Sequence, residues 1–76
     1  MPRALRALAR ARLDRGELPR ERPSLVVAGV PMIGQRCALC DEVITGHVEI
    51  RTTFPALRVL HFHGLCHWAW DVERSA

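Results

Sequence analysis

Two short ligand-rich stretches, and the distance between them, constrain this chain more than any other feature of its 76 residues. "CALC" sets Cys37 and Cys40 in a C-x2-C pair, and "HFHGLCHWAW" sets His63 and Cys66 in an H-x2-C pair, with twenty-two residues (41 to 62) between them. A chain this short buries only about 60% of the surface it exposes when unfolded, so its own core is marginal. Domains of this size draw extra stability from disulfides, a structural metal or an oligomer partner. The three cysteines are an odd number, which leaves one thiol over in any disulfide framework. Two pairs of soft ligands suit a metal ion instead, and tetrahedral zinc accepts three thiolates and one imidazole. The expected ligands are Cys37, Cys40, His63 and Cys66. Four protein ligands leave no open coordination position, so a single structural zinc ion is expected and not a catalytic one.

Other readings of the same residues fail on detail. Haem attachment needs histidine directly after the second cysteine, where this chain has Asp41. A thioredoxin-like redox pair needs a βαβ setting for which there is no room. A finger with two cysteines and two histidines has roughly 12 residues between its pairs, well short of the spacing here. Two further histidines stand near the cluster. His67 or His61 could replace a ligand, but the simpler expectation is that both are exposed or donate hydrogen bonds to the ligands. His47, after Gly46, reads as a turn residue.

The expected scaffold is a small zinc-stabilised α+β fold. Residues 3 to 15 are rich in alanine, leucine and arginine, all good helix formers, and Gly16 with Pro19 supplies the stop. Leu5, Leu8 and Ala9 share one side of that helix, Arg3, Arg6 and Arg10 another. Residues 19 to 36 contain Pro19, Pro23, Pro31, Gly29 and Gly34 and read as an extended arm. Its apolar residues Leu25, Val26, Val27, Val30, Met32 and Ile33 either wrap the arm onto its own module as core or form a strand that pairs with a partner's sheet edge. From Val43 onward the pattern alternates: Val48, Ile50, Thr52 and Phe54 point one way, Glu49, Arg51 and Thr53 the other. A turn at Pro55 and Ala56 leads to a second strand from Leu57 to Phe62, with Leu60 and Phe62 on one face. A final helix runs from Leu65 to Arg74, and the spacing of Leu65, Trp68, Ala69 and Val72 turns those four toward the hairpin. Trp68 is then core; Trp70 points elsewhere and, if exposed, would mark a contact surface. Three segments follow: a basic N-terminal helix (1–18), the arm (19–36) and a zinc-binding module (37–76).

The order of knuckle, hairpin, H-x2-C and helix resembles a treble-clef zinc finger. "CALC" followed after a hairpin by "HFHGLCHWAW" looks like the first zinc-binding half of a LIM domain. It also resembles the finger of poly(ADP-ribose) polymerases, in which H-x2-C is followed by aromatic residues, and small uncharacterised bacterial proteins with a C-x-L-C knuckle. The resemblance spans Cys37 to about Trp70. It implies the same four ligands, and the LIM likeness implies protein binding.

Charge is placed unevenly. Residues 1–36 carry eight arginines against three acids, a surplus of five, and residues 37–76 carry three arginines against five acids, a deficit of two. A basic arm of this kind contacts nucleic acid or an acidic partner surface, and Arg3, Arg6 and Arg10 are the candidates for phosphate contact; all eleven basic residues being arginine equally fits a GC-rich genome. "MPRALRALARARL" has the composition of a mitochondrial transit peptide, but it lacks serine and Asp14 follows at once. No apolar run reaches a membrane-span length, so the expectation is a soluble, cytoplasmic protein. The expected function is non-enzymatic protein interaction, with nucleic-acid binding as the alternative. A nuclease of the HNH type is disfavoured because the chain contains no asparagine and a closed zinc site activates no water.

Overall fold

The structure, a computed structural model, describes residues 3–29, 34–45, 49–55 and 58–76. Helix α1 spans Arg3–Asp14. It stops where the sequence places glycine: the Gly16 N–H donates to the Leu13 carbonyl (3.1 Å) and the Glu17 N–H to that of Arg12 (2.9 Å). This bond pair is a Schellman cap, and the φ of 73° at Gly16 is cheap only without a Cβ. Ala9 and Leu13 are buried, and the chain turns directly into buried Leu18.

Among the described residues, three strands form one antiparallel sheet in the order β1 (Leu25–Ala28), β2 (Glu49–Thr53), β3 (Val59–His63). In register, Thr52 lies between Val26 and Leu60, and Ile50 between Ala28 and Phe62. The expected alternation is realised: Thr52, Phe54 and Phe62 are buried, and Leu60 packs against the same core. Pro55 lies in a turn, closed by the Phe54 N–H donating to the Arg58 carbonyl (2.8 Å). Val48, Ala56 and Leu57, placed in the hairpin by the sequence pattern, lie outside the described residues.

The arm folds back on its own module, as the first of the two readings had it, but as an edge strand: none of its described residues joins the core cluster that this reading expected it to supply. The Ser24 N–H donates to the Thr53 carbonyl (2.8 Å), and β1 then runs antiparallel to β2. The contribution is mainly backbone pairing, because Leu25 and Val26 stay exposed. Leu18, from the segment before the arm, is the residue that enters the core. Val30, Pro31, Met32 and Ile33 lie outside the described residues.

Helix α2 (Gly64–Arg74) corrects one expectation. The spacing of Leu65, Trp68, Ala69 and Val72 turns those four inward, but the buried set is Cys66, Ala69, Trp70 and Glu73, while Leu65 is 58% and Trp68 47% exposed. The cause is the i, i+4, i+7 relation of Cys66, Trp70 and Glu73, which share one side of a helix. Once Cys66 faces the other ligand atoms, Trp70 is carried into the core and Trp68 out of it. Trp70 is fully buried. It stacks on Phe62 (centroids 5.3 Å), meets Phe54 edge-on (5.8 Å), and its indole N–H donates to the Pro19 carbonyl (2.9 Å). That bond satisfies a donor that burial would otherwise leave unpaired.

Candidate metal centre

The first two donor atoms sit on a tight knuckle made by backbone hydrogen bonds. Arg36 and Val43 form an isolated antiparallel bridge. Inside it the Cys37 N–H donates to the Glu42 carbonyl (2.9 Å) and the Asp41 N–H to the Cys37 carbonyl (3.0 Å). Asp41 takes a left-handed φ of 65° to close the turn, a conformation that aspartate tolerates better than most residues. Fully buried Leu39 and Ile44 anchor the knuckle in the core. The Ala38 N–H donates to the His61 carbonyl (2.8 Å), tying the knuckle to β3.

The other two donors come from the junction of β3 and α2. His63 is the last residue of β3 and stands at the cap position of α2 in an extended conformation, with no side-chain capping bond. Its ring is therefore available to turn toward the sulfurs. Cys66 follows in the first helical turn and is buried, where the helix dipole favours a thiolate.

The donor atoms of Cys37, Cys40, His63 and Cys66 all lie within 4.8 Å of one another. His63 Nδ1 is 3.4 Å from Cys40 Sγ and 3.9 Å from Cys66 Sγ. Zinc–sulfur bonds of about 2.3 Å and zinc–nitrogen bonds of about 2.0–2.1 Å give tetrahedral N···S edges of about 3.6 Å, midway between those two distances. The set therefore fits a four-coordinate ion in size as well as in chemistry.

All three cysteines are free thiols, and their acidities show what a cation would do. At Cys37 burial pushes the thiol up, but the backbone N–H groups of Cys40, His63 and Leu39 outweigh it and bring it down to about 7. Cys40 is pushed up by burial and then by neighbouring Cys37. Cys66 is pushed strongly up, first by burial and then by the charge of Cys37. One thiolate thus opposes the next, and a dication among them would remove that opposition.

Neither spare histidine belongs to the cluster. His67 is half-buried and sets its ring edge-on to Phe62 (5.6 Å) and tilted to Trp70 (5.5 Å); burial lowers its pKa. It is a packing residue, neither exposed nor bonded to a ligand as expected, because it lies on the Trp70 side of α2. His61 is half-buried in β3. His47 lies outside the described residues.

The structure also gives Arg6 and Arg10 a partner, Glu73, that sequence patterns did not single out. Glu73, whose side chain is 6% exposed, accepts from Arg6 (2.8 Å) and Arg10 (2.9 Å) across the helix pair. Arg6 first, then Arg10, holds its carboxyl below the usual carboxylate range. The available signal was its place seven residues after Cys66, which puts a carboxylate on the buried side of α2.

Comparison of the chain with models of known families, with curated proteins and with solved structures gave no match. Among the described residues, no helix is long and apolar enough to cross a membrane.

Proposed function

We propose that this chain is a small module built around one structural zinc ion and that it works as a non-enzymatic protein-interaction domain. The observation that carries the reading is the convergence of three sulfurs and one imidazole nitrogen within 4.8 Å. Cys37, Cys40 and Cys66 would bind through Sγ and His63 through Nδ1. The ion would neutralise the thiolates and cross-link the knuckle to the start of α2. The order of knuckle, hairpin and helix supports a treble-clef, LIM-like arrangement, and four protein ligands leave no site for an activated water. Free thiols suit the reducing cytoplasm as its compartment.

The protein-binding part is supported by Leu65 and Trp68, which stand exposed on α2 beside the cluster; tryptophan is enriched among residues that dominate binding energy. Nucleic-acid binding along a phosphodiester backbone through Arg3, Arg6 and Arg10 has less support, since Glu73 neutralises one of their three charges and takes one edge of Arg6 and of Arg10. Native mass spectrometry with and without chelator tests the metal: one zinc per chain is expected, and a metal-free reduced chain that keeps its fold overturns the reading. A pull-down comparing the wild type with Trp68→Ala tests the rest. Loss of a protein partner at unchanged zinc content is expected, and recovery of nucleic acid alone counts against protein interaction.

A further inference from the structure

We propose that Arg3, Arg6 and Arg10, braced from below by Glu73, form a receptor for a single terminal phosphate group. The three arginines line a groove of about 300 Å³, with Ala7 and Glu73 completing its wall. The small side chain of Ala7 leaves room between the guanidiniums.

Glu73 acts on the arginines as a brace. Arg6 donates from Nε (2.9 Å) and Nη2 (2.8 Å) to one carboxylate oxygen of Glu73. Arg10 does the same to the other oxygen, from Nε (3.0 Å) and Nη2 (2.9 Å). A guanidinium carries five N–H donors, so each arginine keeps its Nη1 edge for another acceptor. Both side chains remain 51% exposed. Arg3 has no ion pair among the described residues and sits one turn before Arg6 on the same groove. Guanidiniums already held in place lose less freedom when a ligand arrives.

Charge balance selects the ligand. Three guanidiniums against one carboxylate leave a surplus of two positive charges in the groove. A phosphomonoester carries about −1.5 to −2 at neutral pH, whereas a backbone phosphodiester carries a single charge. Arginine forks match phosphate oxygens in pairs. The first turn of α1 contains no acidic residue to compete. The groove is built by the two helices, and none of its lining residues belongs to the candidate metal cluster.

Calorimetry on the full chain tests the proposal, with inorganic phosphate, a terminally phosphorylated short oligonucleotide and the same oligonucleotide without that phosphate as probes. One saturable site is expected, with the phosphorylated strand bound about tenfold more tightly than the bare one, which is the effect of one charge-assisted contact pair. Arg3→Gln, which removes no contact of the fold, is expected to weaken phosphate binding about tenfold while leaving the thermal melt unchanged. Equal affinity for the two strands, no saturation at millimolar phosphate, or full binding by Arg3→Gln would each overturn it.

Discussion

The two ends of α2 are held in place by different means. At its first turn Cys66 faces Cys37, Cys40 and His63, in a corner whose position depends on polar donor atoms and backbone turns. Farther along, Trp70 lies among Phe54, Phe62 and His67, and Glu73 is gripped by two arginines of α1. One corner gathers three sulfurs that a bound cation would reconcile; the other is satisfied by the chain itself. Both act on the same side of one helix, so each enforces the rotation that the other requires. A small chain thereby specifies a helix orientation that its apolar pattern alone assigns wrongly.

The largest expected effect breaks the first corner. Structural zinc in finger peptides contributes about 10–16 kcal/mol, comparable with the whole stability of a small domain at about 5–15 kcal/mol. Chelation, or Cys66→Ser, is therefore expected to abolish the cooperative thermal transition seen by near-ultraviolet circular dichroism. A chelated chain that melts as before would show that the aromatic corner suffices.

Next comes the aromatic corner. Trp70→Ala removes a fully buried ring and is expected to cost about 3–5 kcal/mol in denaturant unfolding, whereas exposed Trp68→Ala stays within about 0.5 kcal/mol. The reverse ranking would mean that α2 is rotated as its apolar spacing suggests.

A smaller effect, of opposite sign, is expected at Thr52. Its side chain is fully buried in the sheet, and its hydroxyl has no partner among the described residues. Thr52→Val replaces that hydroxyl with a methyl of similar size and is expected to raise stability by about 1 kcal/mol in the same assay. A loss would show that the hydroxyl is paired in solution.

The mildest probe is pH at Glu73. Its folded pKa lies below the ordinary carboxylate value of 4.5, so its contribution is complete above that value and fades as the pH falls through the lower, folded one. The melting-temperature gap between wild type and Glu73→Gln should therefore be constant at neutral pH and close below about pH 4.5. A gap that persists in acid would mean that the carboxylate charge is not what the arginines hold. The comparison is made over the pH range in which both proteins keep a cooperative transition, so the difference isolates Glu73.

Much of the fold was legible beforehand. Helix α1 and its glycine stop, the hairpin alternation around Ile50, Thr52 and Phe54, and the four donor residues follow from local propensity and short spacings. The arm was legible only as two alternatives, since apolar residues such as Leu25 and Val26 suit an inner or an outer strand equally. The register of α2 was misread because Leu65, Trp68 and Val72 have a helical period that competes with that of Cys66, Trp70 and Glu73, and hydropathy favours the wrong set. His67 was misplaced for the same reason.

By itself, then, the sequence determined where elements start and stop and which side chains could share a metal, because capping, turn chemistry and ligand pairing act over a few residues. Tertiary structure decided which side of α2 is buried, that the arm pairs with its own sheet, and that Arg6 and Arg10 meet Glu73 from 67 and 63 positions away. Those outcomes depend on which surfaces meet when the chain closes, and local composition carries no record of that.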